Sequence, residues 1–425
     1  MQTKMSSGMK KSGIDWIGEI PNDWNTSILK KCLLEINDSN NPIKTKNVLS
    51  LTNKLGVVPY EDKGNQGNKA KEDYSGYKLA YENTIVANSM NVLIGSVGIS
   101  KYYGCVSPVY YVFRSKGNAD LRYINYIFQN VGFQKELRKY AKGIMEIRLR
   151  VSAHDILRRI IPFPNVSTQT RIANYLDKVC EDINNVIANT EHSIEEYKSL
   201  KQSIIAEAIS KGIRGNSRET KDSGISWIGK IPSNWEVKKG KHVLKYLERP
   251  VLDTDEVITC FRDGEVTLRS NRREDGFTFS MQETGYQGIE PGDLVVHGMD
   301  GFAGAIGISD SRGKGTPVLN VLGSSEDKKF IMYYLRNMAY GGIFIALSTG
   351  IRVRSCDTNW NKLKELPFVI PPKDEQKEIS DYIDDKCRSI DALILSKTNF
   401  LAELEKYKKS IIYEYVTGKK EVPEL

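Results

Sequence analysis

The chain contains two copies of one unit. The segment SGIDWIGEIPNDW at 12–24 recurs as SGISWIGKIPSNW at 223–235, with nine of thirteen positions identical. A second pair, RIANYLDKVC at 171–180 and KEISDYIDDKC at 377–387, recurs at a nearly equal offset. A period of about 210 residues is far longer than that of a solenoid repeat. The repeat therefore indicates two domains of one fold, not an array of small units.

Around this repeat we expect four segments. Short β-branched runs at 84–87, 109–113 and 294–296 predict strands, and 123–130 and 330–338 predict short helices with one apolar face. Each half is therefore predicted to be a mixed α/β (α+β) domain. The expected boundaries are a globular part at 1–167, a long helix and connector at 168–222, a second globular part at 223–373, and a second long helix with a tail at 374–425.

Two long helices are predicted from an apolar repeat with alternating spacings of four and three. A single apolar stripe kept over about five heptads requires a partner helix, so we expect the two to pair as an antiparallel coiled coil. The alternative is that each helix packs only on its own domain. Glu207 and Glu414 fall in register on the stripe and are hypothesised to fix the helix register or the choice of partner. The expected contact residues are Ile172, Leu176, Val179, Ile183, Tyr197, Leu200, Ile204, Ile379, Ile383, Ile390, Leu393, Phe400, Leu404 and Ile411.

Composition excludes several classes of protein. No run of about 18 apolar residues and no apolar signal segment are found, so we expect a cytoplasmic protein. Six scattered cysteines without CxxC spacing, and only four histidines, predict buried free thiols and no metal site. Residues 1–167 carry 24 Lys and Arg against 14 Asp and Glu, whereas residues 223–373 carry 20 against 18. The excess of basic charge in the first globular part favours contact with a phosphate backbone.

No catalytic motif is found. The chain lacks a phosphate-binding GxxxxGK loop, a glycine loop for S-adenosylmethionine and an Asn/Asp-Pro-Pro-aromatic motif, so we expect it to be non-catalytic. GFAGAIG at 301–307 and NVLIGSVG at 91–98 are interpreted as tight turns between strands. The paired carboxylates Asp384–Asp385 and Glu195–Glu196 are expected to be solvated.

The candidate DNA contacts lie in polar loops that differ between the halves. Arginine clusters suit phosphate contact and bidentate recognition of guanine, and two R-x-R pairs alternate as on one face of a strand. The alternative for each residue is a solvated surface charge. The candidates are Lys54, Lys69, Lys78, Asn88, Asn91, Lys101, Arg148, Arg150, Arg262, Arg269, Arg272, Arg273, His297, Arg352 and Arg354.

Together these features resemble the specificity subunit of a type I restriction–modification enzyme. The resemblance rests on the doubled SGIxWIGxIPxxW motif, GDLVVHGMDGFAGAIGIS, the helix starts NVSTQTRIANYLD and PPKDEQKEISDYID, and the helix end KKSIIYEYVTGK. It implies two target-recognition domains, each reading half of a bipartite double-stranded DNA site in the major groove.

The same resemblance implies the partners. The helices would act as a spacer and would dock two DNA adenine methyltransferase subunits, and motor-nuclease restriction subunits would join the larger complex. S-adenosylmethionine, ATP and Mg would be bound by those partners, and this chain would hold no cofactor. Two other functions stay open at this point: a methyltransferase with fused recognition domains, and a coiled-coil scaffold or assembly protein that reads no DNA sequence.

Overall fold

The computed structural model describes residues 8–52, 56–64, 73–143, 149–214, 218–272, 284–346 and 358–423. The chain divides into two compact units. Unit 1 comprises Met1–Thr190 and Asn399–Leu425, and unit 2 comprises Glu191–Thr398. Each unit therefore combines one globular part with a portion of both long helices. This grouping in space differs from the linear segments 1–167, 168–222, 223–373 and 374–425.

Unit 1 holds twelve named strands and three short helices, and it shares a long helix with unit 2. The strands are β1 Met9–Lys11, β2 Glu19–Pro21, β3 Asn25–Ile28, β4 Leu33–Ile36, β5 Leu49–Thr52, β6 Gly56–Pro59, β7 Lys78–Ala80, β8 Thr84–Asn88, β9 Val97–Ile99, β10 Gly104–Val106, β11 Tyr110–Ser115 and β12 Ile160–Phe163. The helices are α1 Leu121–Gln129, α2 Val131–Arg138, α3 Ala153–Leu157 and the shared α4 Val166–Lys211.

Unit 2 repeats this set of elements. Its strands are β13 Thr220–Asp222, β14 Lys230–Pro232, β15 Glu236–Lys239, β16 Leu244–Tyr246, β17 Ile258–Cys260, β18 Val266–Leu268, β19 Gln287–Ile289, β20 Leu294–His297, β21 Ile306–Ile308, β22 Gly313–Gly315, β23 Leu319–Ser324 and β24 Pro367–Ile370. Its helices are α5 Lys328–Tyr340, α6 Ile343–Ala346, α7 Trp360–Leu363 and α8 Lys373–Val416, which it shares with unit 1.

The central sheet is the same in both units. Four antiparallel strands run in the order β4-β11-β8-β9 in unit 1 and β16-β23-β20-β21 in unit 2. The middle strand β8, Thr84–Asn88, is buried along its whole length, as expected for a strand that is covered on both faces. The four smaller two-stranded sheets of unit 1 each have a counterpart of the same pairing in unit 2. The predicted mixed α/β class and the duplication are confirmed.

The long helices run antiparallel within each unit. In unit 1 the rings of Tyr175 and Tyr415 lie 4.5 Å apart, and Lys408 donates to Asn184 at 2.7 Å, so rising numbers on α4 meet falling numbers on α8. In unit 2 Lys201 lies 2.7 Å from the carboxylate of Asp391, and Lys397 lies over the ring of Tyr197. The predicted antiparallel pairing is thus confirmed in both units.

The predicted contact residues of the long helices divide by burial. Those near the two helix starts lie in the cores of the units, whereas Leu200, Leu393 and Phe400 expose 45–48% of their surface. The buried members are Ile172, Leu176, Ile183, Ile379, Ile383, Ile390 and Ile411, and Val179, Tyr197, Ile204 and Leu404 are half-buried. A role of Glu207 in the helix register is not supported, because its side chain is 64% exposed and pairs with Lys211 on its own helix. Glu414 pairs with Lys420 beyond the end of α8.

The ends of the long helices pack on the duplicated tryptophan motifs. In unit 1 the residues 411–416 join the core formed by Ile14, Ile17, Ile20 and Trp24. In unit 2 the end of α4, including Ile205 and Ile209, joins the core formed by Ile225, Ile231 and Trp235. Each of the two tryptophan motifs therefore packs against the end of one long helix. The presence of two such helix ends explains why the motif occurs twice.

No helix in the described part of the chain is long and apolar enough to cross a membrane. The cysteines described there are free and buried, as predicted, and burial raises the pKa of the Cys32 and Cys105 thiols to about 11. Cys356 lies outside the described residues.

Candidate functional site

In each unit one polar side chain closes the glycine-containing turn that follows a central strand, β8 in unit 1 and β20 in unit 2. In unit 1 Asn88 Oδ1 accepts the backbone N–H of Met90 at 3.0 Å. In unit 2 His297 Nδ1 accepts the N–H groups of Met299 and Asp300 at 3.2 and 3.0 Å. Gly95 and Gly304 end these turns with φ of +80° and +94°, a conformation that favours glycine. The interpretation of both segments as tight turns is confirmed.

Asn88 and His297 were candidate DNA contacts, and the structure gives both a different role. Asn88 is 7% exposed, and His297 is half-buried with Nδ1 directed at its own turn. Burial lowers the pKa of His297, which keeps the imidazole neutral and able to accept. These two side chains shape the loops, and the exposed residues of the same turns, Asn91 and Met299, remain free to meet a ligand.

The exposed surface of unit 1 combines tyrosines with basic side chains. Tyr102 and Tyr103 are 37% and 42% exposed next to the exposed Lys101. Arg114 lies 5.3 Å from the ring centre of Tyr81, and Lys78 lies 5.4 Å from that of Tyr111. A hydrogen bond from the Tyr81 hydroxyl to Asp38 raises the pKa of Tyr81 to about 12, so the hydroxyl stays protonated.

Sequence reasoning selected Lys78 and Lys101 but missed the aromatic residues beside them. The signal was present as KYYG at 101–104, directly after β9. Tyrosines beside cations suit contact with DNA, because tyrosine hydroxyls and basic side chains both bind phosphate oxygens. We call Tyr81, Lys101, Tyr102, Tyr103 and Arg114 the tyrosine surface, since the rings of Tyr81 and Tyr103 lie 5.6 Å apart and Arg114 lies over Tyr81. Lys78 and Tyr111 form a separate pair.

The arginine cluster of unit 2 gathers around one hairpin, β17–β18. Arg272 lies over the ring of Phe261 and pairs with Asp263 at 2.8 Å and Glu265 at 3.2 Å. Arg262 pairs with Asp300 at 2.8 Å, and Arg269 donates to the hydroxyl of Thr259 at 3.4 Å. The cluster predicted from sequence is therefore real, but the charges of Arg262 and Arg272 are already paired within the unit.

The remaining basic candidates include one described residue, Arg150. Arg150 is exposed, and its backbone pairs with that of Lys142. Lys54, Lys69, Arg148, Arg273, Arg352 and Arg354 lie outside the described residues. The R-x-R pairs therefore stay a prediction, apart from the exposure of Arg150.

Two carboxylates on the long helices were missed. Asp384 was expected to be solvated, and this expectation is wrong, because its carboxylate accepts bonds from Lys329 at 2.5 Å and from the Tyr333 hydroxyl at 2.6 Å. Asp177 occupies the equivalent place in unit 1, where it accepts from Arg122 and Tyr126. The sequence contained a signal for both carboxylates, because each position that takes part in these contacts recurs in the second half of the chain at the same offset.

The described residues bring together no group of three His, Cys, Asp or Glu side chains that could hold a metal ion. A groove of about 1190 Å³ lies in unit 1 between α1, β9 and the two long helices. Its lining mixes Lys101, Lys408 and Lys409 with Asp177 and Glu405, so it has no single charge and no buried nucleophile–base pair.

Comparison with known proteins agrees with this architecture. Residues 21–196 match the family model described as the type I restriction modification DNA specificity domain. The MjaX type I restriction enzyme specificity subunit of Methanocaldococcus jannaschii is 22% identical over 431 residues, which cover 95% of either chain. The chain is similar to the specificity subunits of type I restriction–modification enzymes over nearly its whole length. The matched family model, a DNA specificity domain, indicates a role in recognising DNA.

Two further matches support the assignment. The StySPI type I restriction enzyme specificity subunit of Salmonella potsdam is 20% identical over 308 residues, covering 70% of this chain and 65% of that protein. A solved chain described under complex assembly and conformational transition of the type I R-M system superposes with a TM-score of 0.67. The match covers 94% of this chain and 99% of that chain at 14% identity, so it shows that the two chains share a fold.

Proposed function

We propose that each globular part of this specificity subunit reads one half of a bipartite DNA target. The observation that carries the proposal is the contrast between a repeated scaffold and unlike surfaces. The central sheets have the same strand order, yet the segment between β9 and β10 carries Lys101, Tyr102 and Tyr103, whereas the equivalent segment between β21 and β22 carries Asp310, Ser311 and Arg312. Because base contacts specify sequence and phosphate contacts position the protein, unlike surfaces on one scaffold suit two different half-sites.

The long helices serve in this proposal as the spacer between the half-sites and as a docking surface. Leu200, Leu393 and Phe400 expose large apolar surfaces on these helices, and exposed apolar residues at helix spacing suit a partner protein. The partners proposed are two DNA adenine methyltransferase subunits, with motor-nuclease restriction subunits in the full complex.

The chain itself is proposed to be non-catalytic. S-adenosylmethionine, ATP and Mg are assigned to the partners, and the complex is assigned to the cytoplasm, where its genomic substrate lies. The second candidate, a scaffold without DNA reading, is favoured by the exposed apolar helix faces alone. A scaffold function does not explain the cation–aromatic contacts of the tyrosine surface.

The test is to purify the chain with a type I methyltransferase subunit and to map methylated adenines in genomic DNA by single-molecule sequencing. We expect one bipartite motif with a constant gap. Tyr102→Ala with Tyr103→Ala should weaken discrimination in one half-site only. The matched double variant Tyr382→Ala with Tyr407→Ala, on the exposed helix faces, should leave discrimination in both half-sites unchanged, because an effect on docking lowers the amount of methylation and not its sequence preference. Methylation without a two-part motif would support the scaffold alternative.

The spacer role has a separate test. Seven residues inserted after Thr190 in α4, together with seven after Thr398 in α8, add about 10 Å of helix at about 1.5 Å per residue. That length equals about three base pairs, so the unspecified gap should grow by about three. An unchanged gap in an active complex would contradict the spacer role.

A further inference from the structure

A buried tyrosine and a cation of unit 1 meet one carboxylate on a long helix. On α1, the Tyr126 hydroxyl donates to Asp177 Oδ1 at 2.8 Å, and Arg122 Nη1 donates to Asp177 Oδ2 at 2.9 Å. Tyr126 is 7% exposed. Arg122 also donates to Asn174 on α4 and to Asp120 at the start of α1. The first helix of the globular part is thus fixed to one turn of α4; we call Arg122, Tyr126 and Asp177 joint 1.

Unit 2 contains the same arrangement at a constant offset of 207 residues. On α5, the Tyr333 hydroxyl donates to Asp384 Oδ1 at 2.6 Å, and Lys329 donates to Asp384 Oδ2 at 2.5 Å. Tyr333 is 6% exposed. We call Lys329, Tyr333 and Asp384 joint 2. The cation differs between the joints, but the tyrosine, the carboxylate and their geometry are repeated.

The chemistry of the joints favours a fixed geometry over a loose contact. Burial raises the pKa of Tyr126 and of Tyr333, so both hydroxyls stay protonated and act as donors. Hydrogen bonds to a charged acceptor are short and about twice as strong as neutral ones. Because the tyrosine and the cation are four residues apart on a helix, they lie on one face and hold the carboxylate from two directions. Such an arrangement resists rotation of the globular part about the long helix.

We infer that Asp177 and Asp384 are positioning residues that set the orientation of each globular part on its long helix, and that this orientation sets the gap between the two half-sites. The inference rests on the proposed function. It adds that the gap depends on two side-chain joints as well as on helix length. The joints are repeated whereas the loops differ, which is expected if the joints serve spacing and the loops serve sequence.

The test uses the full chain with its methyltransferase partner and a set of DNA duplexes. The duplexes carry the two half-sites of the wild-type motif with the native gap, or with a gap one base pair shorter or longer. The joint variants are Tyr126→Phe, Asp177→Asn, Tyr333→Phe and Asp384→Asn, which change one hydroxyl or one charge and retain the shape of the side chain. The control variants are Asp182→Asn and Asp385→Asn, exposed positions on the same helices. Thermal unfolding verifies that each variant is folded.

We expect each joint variant to lower methylation at the native gap about tenfold, which is the usual scale for one lost hydrogen bond to a charged group. The preference for the native gap over the altered gaps should fall as well. Arg122→Lys should retain the wild-type preference, because joint 2 uses lysine at that position. The controls should match the wild type.

Each other outcome overturns the inference. If the joint variants methylate like the wild type, the joints do not position the globular parts. If they lose activity equally at all gaps, their role is in stability alone. If the wild-type complex methylates no bipartite site, the proposed function fails, and the inference falls with it.

Discussion

Arg336 on α5 donates from Nη2 to the carbonyl oxygen of Gly264 at 2.8 Å, and from Nε to the carbonyl oxygen of Ile306 at 2.7 Å. Gly264 lies in the turn between β17 and β18, with a φ of +90°. One guanidinium therefore ties the arginine hairpin to the central sheet of unit 2. Arg336 is not itself a candidate DNA contact, but it fixes the position of the hairpin that carries Arg262, Arg269 and Arg272.

Arg336→Met should release this hairpin. The change removes both hydrogen bonds but keeps most of the apolar stem, so we expect a loss of about 1–3 kcal/mol in the stability of unit 2, since two buried carbonyls lose a charged donor. Methylation should become less discriminating in the half-site that unit 2 reads and stay unchanged in the other. Arg388→Met, at a side chain that is 76% exposed on α8, is the control. Equal loss in both half-sites would contradict a local role.

Asp263→Asn combined with Glu265→Gln should strengthen binding to DNA of random sequence. Arg272 pairs with both carboxylates, and their neutralisation leaves its charge available to phosphate. We expect the slope of log K against log salt to steepen by about 1, the value for one added phosphate contact. Fluorescence anisotropy between about 50 and 200 mM salt measures it. Glu195→Gln with Glu196→Gln makes the same change in net charge far from this hairpin in sequence, and an equal effect there would refute the local explanation.

His297→Asn should remove a pH dependence from unit 2. Burial lowers the pKa of His297 below its ordinary value of 6.5, so the unfolded chain takes up the proton at a higher pH than the folded chain does. The stability from the neutral imidazole is fully present above pH 6.5 and is lost as the pH falls through the lower folded pKa. Asparagine keeps the cap, as Asn88 does in unit 1. Thermal unfolding at several pH values between 7.5 and 5 should show a steeper fall for the wild type than for the variant. Parallel curves for both proteins would count against this account.

Gln169→Leu and Gln376→Leu should destabilise units 1 and 2 respectively. Gln169 Oε1 accepts the N–H of Asp120 at 3.0 Å, and its Nε2 donates to the carbonyl of Pro164 at 2.8 Å. Gln376 makes the equivalent bonds with Asp327 and Pro371. Both glutamines are 0% exposed, so each leucine leaves two buried polar groups without these partners, at a cost of about 2–4 kcal/mol.

For a unit of this size, the glutamine changes should lower the melting temperature by roughly 4–16 °C. Differential scanning calorimetry measures the shift. Gln202→Leu, at an exposed position on α4, is the control and should change the melting temperature little. A shift of the same size at all three positions would contradict the burial argument.

Much of the fold follows from local pattern. The predicted strand at 84–87 matches β8, Thr84–Asn88, and the predicted helix at 330–338 lies within α5, Lys328–Tyr340. These elements are set by short-range periodicity and turn chemistry, which one sequence contains. The heptad pattern predicted the wrong buried residues at the end of α4, where this helix packs on the globular core of unit 2. It selected Leu200 and Ile204, yet Ile205 and Ile209 are the residues buried in unit 2, because the end of α4 packs on a different surface there.

The candidate site was less predictable than the fold. A charge in a sequence does not reveal its partner, so Arg262 and Arg272 looked available although the structure pairs both. For Arg272 the acidic residues stood in the same run, FRDGEV at 261–266, and could have been weighed. Periodicity alone could not predict the contacts of Asp177 and Asp384, since their partners lie 51 residues or more away in the chain.

The discontinuous make-up of unit 1 has a consequence for its synthesis on the ribosome. The core of unit 1 includes Ile411, Ile412, Tyr415 and Val416, which are translated after all of Glu191–Thr398. Unit 2 is one continuous segment and can complete its core first. We therefore expect the domain that is translated first to finish folding last, with its apolar surface exposed to chaperones in the meantime.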